Sequence, residues 1–406
     1  MAAAKNFTRG GIDPAGKANL GELAWFFLRL GTTAFGGPAA HIAIIEHEVV
    51  QRRRWLAREK FLDLLGAANL IPGPSSTELA IYLGYLCQGW RGLLVSGVCF
   101  IAPAMLIVLG FAWAYVRFGN LPQVTWLLYG VKPVVIAIIL QALWQLGRTA
   151  VKDKFLGALA LMGIILNFWG INLLLVLFGA GVLAGLWQGL GRGGAGNWKP
   201  LLLMLLAAGG FLAAASFATG LSSPGQVAFG LLPLFLFFVK VGSLVFGSGY
   251  VLLAFLQADL VGHWHWLTTT QLLDAIAVGQ VTPGPVFTTA TFIGYLLAGW
   301  PGALIATAGI FLPSFILVAV SSPLLPRLRR AAVAGAFLDG VIVASLSLMA
   351  VVAWRLGLEA VIDFPTAFLA LGSAVLLLRF RLNSLWLVLG GAGSGLLLYA
   401  LRTYAV

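Results

Sequence analysis

Charged residues are scarce in this chain, since only 9% of its 406 residues are Asp, Glu, Lys or Arg. A soluble domain carries about 25% charged residues and about 45–50% apolar ones, whereas 60% of this chain is hydrophobic and its mean hydropathy is +0.98. Polar residues are too few to cover a surface in water. A soluble enzyme, a disordered chain, a collagen-like fibre and a nucleic-acid-binding protein are therefore excluded. The composition predicts a polytopic membrane protein in a lipid bilayer.

Metal-ligating and nucleophilic residues are also few. The two cysteines, Cys87 and Cys99, lie in apolar sequence, so they supply neither a disulfide framework nor a metal site. No cluster of metal ligands, and no nucleophile with its base, lies at membrane depth, so no cofactor, metal or catalytic activity is expected. The histidines are expected to be solvated or interfacial: His41, His47, His263 and His265.

Apolar segments of about the length of a membrane-crossing helix, roughly 20 residues, recur along the chain. They are 92–116, 126–147, 155–169, 171–190, 200–220, 302–322, 333–354, 364–378 and 383–401. Four longer apolar stretches, 21–50, 61–88, 230–261 and 271–299, contain a break rich in glycine or proline. Proline removes a backbone donor and glycine permits positive φ. Each stretch is therefore predicted to be a hairpin of two half-helices, with paired short spans as the alternative.

The breaks recur in the same order, which reveals an internal repeat. Residues 26–90 align with 237–300 at an offset of 211 that becomes 210 after one deletion. Aligned positions include Arg29 with Lys240, Asp63 with Asp274, and both Pro-Gly-Pro motifs.

Loop charge predicts that the two copies have opposite orientations. Segment 51–60 holds five Lys or Arg residues, and the equivalent segment 262–270 holds none. Under the positive-inside rule the first loop is cytoplasmic and the second is on the outer face, which places the N-terminus in the cytoplasm.

The fold prediction is an all-α polytopic membrane protein with two inverted homologous repeats and broken re-entrant helix hairpins. Its parts are a polar tail at 1–19, a first repeat at 20–190, a linker at 191–227 with one spanning helix at 200–220, and a second, inverted repeat at 228–406. Inverted repeats with broken helices are a recurring transporter design, in which a central site opens to each side in turn.

The four breaks are predicted to enclose one central anion site. Non-helical backbone at membrane depth is buried or lines a cavity, and half-helix N-termini present N–H groups and partial positive charge. Hydroxyl side chains after each Pro-Gly-Pro, and equivalent amides before it, can donate to a ligand. Candidate substrate-binding residues are Arg29, Phe35, Gly36, Gly37, Pro38, Asn69, Pro72, Gly73, Pro74, Ser75, Ser76, Thr77, Lys240, Phe246, Gly247, Ser248, Gly249, Gln280, Pro283, Gly284, Pro285, Thr288 and Thr289.

Two of these candidates are cations in apolar helices, seven residues before a break. Such charges usually face a partner or a water-filled path, so Arg29 and Lys240 are predicted to line the site. Pairing with Asp63 and Asp274, or snorkelling to the interface, is the alternative. For Lys132, snorkelling and electrostatic steering of the anion both stay open.

Three acids are candidates for coupling transport to protons: Asp63, Glu78 and Asp274. Asp63 and Asp274 precede the Pro-Gly-Pro motifs, and a fixed partner for a cation or a helix N-terminus is the alternative role. Glu78 follows the first motif, where the second copy has Thr289, and this asymmetry makes it a coupling candidate.

The paired motifs resemble those of the chromate ion transporter family in its long, two-domain form. They are Phe-Gly-Gly-Pro at 35–38 and Ile-Pro-Gly-Pro at 71–74, then Phe-Gly-Ser-Gly at 246–249 and Thr-Pro-Gly-Pro at 282–285. The third motif departs from the first in its last two residues. The resemblance spans essentially the whole chain. It implies a bacterial inner-membrane protein that exports chromate, couples export to the proton-motive force and confers resistance.

Chromate, a sulfate-like dianion, offers acceptor oxygens and no donors, so a site rich in N–H, O–H and cationic groups suits it. A carrier for sulfate or another anion, including an uptake carrier, and a passive anion channel are the alternatives. The inverted repeat favours a carrier, and an assembly of two copies stays open.

Overall fold

The computed structural model describes residues 18–191, 228–246, 249–322, 332–380 and 382–404. Within these ranges the chain is helical and contains no strand, which confirms the all-α prediction. Most of the predicted tail at 1–19 and the whole predicted helix at 200–220 lie outside the described residues, as do Gly247 and Ser248.

The described residues of the first half of the chain form seven helices. They are α1 Leu20–Thr33, α2 Gly37–Glu46, α3 Arg58–Ala68, α4 Ser75–Phe118, α5 Pro122–Ala150, α6 Lys154–Phe168 and α7 Leu173–Gly191. A π-helical turn, His47–Arg52, continues α2. Local sequence starts some of these helices, since Asn19 forms a capping box with Glu22 before α1 and Asp153 caps α6.

The second half follows the same order. Its helices are α8 Leu231–Leu244, α9 Leu252–Phe255, α10 Thr269–Val281, α11 Thr289–Ser321, α12 Ala332–Ala360, α13 Phe364–Phe380 and α14 Ser384–Tyr404. Short 3-10 turns, Gly249–Val251 and Val286–Thr288, precede α9 and α11, and a π-helical turn, Leu256–His263, follows α9. The two π-helical turns occupy aligned positions of the two repeats.

The aligned loops share an unusual backbone detail. Arg54 and His265 have φ of 51° and 53°, and they are the positive-φ residues other than glycine in the described chain. Each precedes a tryptophan whose N–H donates back into the π-helical turn, Trp55 to Val49 and Trp266 to Leu260. The duplicated sequence therefore produces a duplicated local structure.

Both long helices that follow a Pro-Gly-Pro motif fold back on themselves. In α4 the dihedrals leave the helical region at Gln88 and Gly89, where φ of Gly89 is +59°, and the backbones of Gly84 and Gly92 come into contact. In α11 the same reversal occurs at Ala298 and Gly299. Each helix is thus a hairpin of a short arm and a long arm.

Five helical segments of the described chain are long and apolar enough, by length and composition, to cross a membrane. They are 75–118, 122–150, 286–321, 335–360 and 384–403. Four shorter apolar helices accompany them, at 154–168, 173–188, 231–244 and 364–380. The chain is a multi-pass membrane protein.

The two repeats pack on each other through equivalent helices, α14 against α5 and α12 against α7. Close approach needs glycine there, because a Cβ on Gly130 would meet the carbonyl of Gly391 and one on Gly340 the carbonyl of Ala180. Gly395 lies in the same way against Trp126.

The equivalent helices α5 and α12 run in opposite directions. Just beyond the C-terminal end of α5, Lys152 Nζ lies 2.7 Å from Oδ1 of Asp339, near the N-terminal end of α12. Just beyond the C-terminal end of α12, Asp363 accepts a hydrogen bond from Tyr129, in the first part of α5, at 2.6 Å. The orientation of the two repeats relative to a membrane stays a prediction.

Candidate functional site

The four breaks meet in two crossed pairs. The N–H of Gly73 donates to the carbonyl of Val245 at 2.8 Å, and the N–H of Gly284 donates to the carbonyl of Ala34 at 3.0 Å. Ala34 and Val245 cap the C-terminal ends of α1 and α8. Each Pro-Gly-Pro motif therefore bonds to the chain beside the first break of the other repeat.

The helices that start at these breaks begin without side-chain caps. Gly36 precedes α2, Pro74 precedes α4 and Pro285 precedes the 3-10 turn before α11, and none of the three provides a side-chain hydrogen bond to its helix. The first N–H groups of a helix have no partner within it and carry partial positive charge. The crossing therefore gathers helix N-termini from both repeats around one place.

The hydroxyl groups after the two Pro-Gly-Pro motifs differ in their use. In the second repeat, Thr288 Oγ1 donates to the carbonyl of Pro285 and Thr289 Oγ1 to that of Val286, both at 2.8 Å. In the first repeat, Ser76 Oγ lies 3.4 Å from Nδ1 of His41, and Thr77 Oγ1 is buried without a hydrogen-bond partner among the described residues. In the first repeat, the hydroxyls of Ser76 and Thr77 are thus not hydrogen-bonded to backbone carbonyls in the described chain.

The expected solvated or interfacial position of His41 is wrong. Its side chain is fully buried, Nε2 lies 3.1 Å from the carbonyl of Ala34, and the ring packs edge-on against Phe100. Nε2 therefore carries the proton and Nδ1 accepts from Ser76. The glycine break folds α2 back toward α4, which buries His41. The nearby charged residues Glu46 and Glu48 suggest an exposed segment, so the sequence alone does not reveal this burial. His47, in contrast, is exposed.

Glu78 is fully buried, and neither carboxyl oxygen has a hydrogen-bond partner among the described residues. It lies beside Gly73, because a Cβ added there would collide with Oε1 of Glu78 and would lie 2.6 Å from Oγ of Ser314. Ser314 Oγ also lacks a partner within the described chain. At the aligned position in the other repeat, Gly284 lies against Ala104 instead.

The two predicted cations lie differently from each other. Lys240 pairs with Asp259 in the π-helical turn, with Nζ 2.9 Å from Oδ2. The aligned acid in the first repeat, Glu48, binds Arg52 at 2.8 Å and Arg53 at 3.1 Å. Arg29 is exposed and forms no ion pair with a described residue. The anion-binding role of Arg29 and Lys240 stays a prediction.

Asp274 pairs with Lys132 rather than with Lys240, so that alternative for Lys240 is wrong. Lys132 Nζ lies 3.0 Å from Oδ1 of Asp274, and Tyr115 donates to Oδ2 at 2.8 Å. Snorkelling is excluded for Lys132, because its side chain is only 18% exposed and its charge is neutralised within the protein. Asp274 thus joins α10 to α4 and α5, and its coupling role, like that of Asp63, stays a prediction. Its aligned residue, Asp63, is half-buried.

The remaining candidates divide between polar and apolar surroundings. Gln280 accepts a hydrogen bond from Tyr250 at 3.2 Å, whereas its aligned residue, Asn69, is exposed. Pro72 and Phe246 line a cavity of about 380 Å³ whose walls are otherwise almost entirely apolar. Pro72 and Phe246 are the chain neighbours of Gly73 and Val245, so this cavity lies beside one of the two crossings. Its apolar walls do not suit a dianion, and the helix N-termini and free hydroxyls at the breaks are the better candidates for the anion.

His41 and Ser314 are the residues of this region that sequence reasoning missed. One signal for Ser314 was available, because it follows Pro313, the residue aligned with Pro103, and therefore stands where the first repeat has Ala104. Ser314 is polar where its aligned residue, Ala104, is apolar, and this difference between the two repeats stands beside prolines that do align. No comparable signal marks His41.

Comparisons with known proteins give a consistent result. The family model described as "Chromate transporter" matches residues 21–186 and 232–396. The chromate transport protein of Cupriavidus metallidurans is 36% identical over 97% of this chain and 96% of its own length. The probable chromate transport protein of Synechococcus elongatus is 33% identical over 87% of this chain and 88% of its own length. The chromate transport protein of Pseudomonas aeruginosa is 31% identical over 78% of this chain and 76% of its own. No solved structure matches the chain significantly.

Proposed function

The chain belongs to the chromate transporter family, and from this membership we propose that it exports chromate across a bacterial inner membrane and confers chromate resistance. It is a multi-pass transporter rather than an enzyme. The substrate site we propose lies at the crossed breaks, where both Pro-Gly-Pro motifs, the uncapped start of α4 and the hydroxyls of Ser75 to Thr77 come together.

The observation that carries this proposal is the reciprocal bonding of the breaks. The Gly73 bond to Val245 and the Gly284 bond to Ala34 tie each repeat's second break to the other repeat's first break. A site built this way belongs to both repeats and changes when they move against each other. Helix N-termini suit an anion, because their N–H groups point at the ligand and their dipoles favour negative charge.

The opposite directions of α5 and α12 support a carrier with two inverted repeats, with the 51–60 loop in the cytoplasm and the 262–270 loop outside. In that design the repeats exchange conformations, and the central site opens to one side and then the other. A channel would not need this duplication.

The membrane potential supports export as the direction of flux. Moving one elementary charge across 100 mV is worth about 2.3 kcal/mol. A dianion leaving a cell whose interior is negative gains twice that free energy per 100 mV. The electrical component of the proton-motive force can therefore drive chromate export by itself.

Chromate uptake into everted membrane vesicles tests the proposal. Energised vesicles containing the protein should take up chromate above the level of control vesicles, an uncoupler should abolish the uptake, and excess sulfate should compete if the site reads shape and charge. Ser76→Ala should lower uptake, whereas Ser394→Ala, which removes a hydroxyl bonded to its own helix on α14, should not. Uptake equal to that of control vesicles would refute the substrate, and uptake that survives the uncoupler would favour a channel.

A further inference from the structure

We propose that Glu78 is a proton-binding site whose proton is retained while the anion occupies the neighbouring crossed breaks, so that each chromate moves together with one proton. This inference rests on the proposed function, because it assigns a co-substrate to the same site. It selects one of the three candidate acids and gives the coupling a direction.

Burial of Glu78 is the first step. Its side chain is fully buried, and its two oxygens have no hydrogen-bond donor among the described residues. An ionised carboxylate in that position would be very costly, because no hydrogen-bond donor or cation of the described residues compensates the charge. The acid is therefore held as the neutral, protonated form in this conformation.

The surroundings of Glu78 contain no compensating charge. No described Lys, Arg or His lies within ion-pair distance of it. Several titratable groups lie on α4 and on the helices packed against it. Tyr82 bonds to Ser321, His41 contacts Ala34 and Ser76, and Asp274 is held by Lys132 and Tyr115. The charged side chains of Arg29, Arg58, Glu59, Arg91 and Arg117 are exposed. Lys60 and Asp63 on α3 have interactions of their own.

Beside Gly73 the Glu78 carboxyl has a hydroxyl neighbour, Ser314, that has no hydrogen-bond partner among the described residues. Oγ of Ser314 and Oε1 of Glu78 both lie close to one point beside Gly73, so they are within about 5 Å of each other. A hydroxyl can donate to a carboxylate or accept from a carboxylic acid. The surroundings of Glu78 can therefore hydrogen-bond to both its ionised and its protonated form.

The position of Glu78 links its charge to the anion. It lies against Gly73, whose N–H makes one of the two bonds between the repeats. A negative carboxylate next to a bound dianion in a low-dielectric interior is strongly unfavourable. Anion binding and proton binding therefore favour each other, and by linkage each raises the affinity for the other by the same factor.

The second repeat cannot bind a second proton in the same way. Thr289 takes the place of Glu78 and bonds to Val286, and Ala104 takes the place of Ser314. One proton per chromate follows, so the complex carries one net negative charge outward. An interior-negative potential still drives that movement, whereas an alkaline cytoplasm opposes it.

Infrared difference spectroscopy on the purified full chain, without chromate, tests the proton site itself. The wild type should show the carbonyl band of a protonated, buried carboxylic acid at neutral pH, and Glu78→Gln should lose it. Ser314→Ala should shift the band, because a nearby hydroxyl is removed. Glu359→Gln, at an exposed carboxyl, should leave the spectrum unchanged. Absence of the band in the wild type would overturn the proposal.

Chromate binding to the same samples tests the linkage. Wild-type affinity should fall by up to about tenfold per pH unit above the titration range of Glu78, beyond the pH dependence of Glu78→Gln. The protonation state of chromate in solution is the same for both proteins at each pH. The difference between their pH dependences therefore measures the contribution of Glu78. Equal pH dependence in the two proteins would overturn the co-binding. A carboxylic acid band without any chromate binding would refute the proposed function and leave only the proton site.

Transport into everted vesicles tests the direction of the proton. Collapsing only the pH gradient with a potassium–proton exchanger should preserve or raise wild-type chromate uptake, because the co-transported proton no longer enters an acidic lumen. Collapsing only the membrane potential should abolish uptake. Loss of uptake on collapse of the pH gradient alone would show exchange of chromate for protons and would overturn the proposal.

Discussion

At the scale of single residues, Gly73 meets several structural constraints at once. Its N–H forms a bond between the repeats, its φ of +138° is one that side-chain-bearing residues rarely adopt, and its missing Cβ leaves room for Glu78 and Ser314. One residue therefore meets three separate demands, and only glycine satisfies all of them.

Gly73→Ala should abolish chromate transport and destabilise the protein. The strained backbone alone costs about 1–3 kcal/mol, and the added methyl would displace the carboxyl of Glu78. Thermal unfolding in detergent and vesicle uptake measure the two effects.

Gly110→Ala is the matched control for this substitution. Gly110 lies in α4, is exposed, and has nothing within 4 Å of an added Cβ, so the change should leave uptake intact and stabilise the helix by about 0.5–1 kcal/mol. Normal uptake by Gly73→Ala would show that neither the bond nor the space at Gly73 matters.

At the scale of helices, the contact among Lys132, Asp274 and Tyr115 fastens three elements. Asp274 on α10 binds Lys132 on α5 and Tyr115 on α4, so the second repeat's half-helix is anchored on the first repeat. The side chain of Asp274 is only 4% exposed. A pair this buried has large effects when only one partner is removed.

Lys132→Met should destabilise the protein by about 3–5 kcal/mol, because it leaves Asp274 buried and uncompensated. Adding Asp274→Leu to Lys132→Met should recover much of that loss. Lys152→Met, which breaks the more exposed pair with Asp339, should cost at most about 1 kcal/mol. Equal thermal shifts for Lys132→Met and Lys152→Met would contradict the anchoring role of Asp274.

At the scale of the whole molecule, the antiparallel course of α5 and α12 supports the prediction that the two repeats have opposite orientations in the membrane. The loop charges predict that segment 51–60 faces the cytoplasm and segment 262–270 the outside. Aligned, exposed positions in these two regions, Glu59 and Thr270, allow a direct comparison.

A cysteine at Glu59 should react with a membrane-impermeant maleimide in everted vesicles only, and a cysteine at Thr270 in intact spheroplasts only. The wild type, whose Cys87 and Cys99 are partly buried, measures background labelling. Labelling of both positions from the same side would show that the repeats are parallel and would remove the basis for alternating access by inverted repeats.

The sequence by itself determined the helical class, the duplication and the positions of all four breaks. These features follow from composition and from glycine and proline, whose backbone effects are local and can be read at any position. It also identified Glu78 as an asymmetric acid, because Thr289 occupies the aligned position.

Only the tertiary structure decided which side chains meet. Lys240 forms an ion pair with Asp259, and Asp274 forms one with Lys132. Both pairs depend on how the helices and turns fold against each other. His41 became a buried residue at the breaks and Ser314 a neighbour of Glu78 for the same reason. Periodicity and charge count indicate where an element lies in the sequence and predict its side of the membrane, whereas the partner of a side chain is set by how the elements pack in three dimensions.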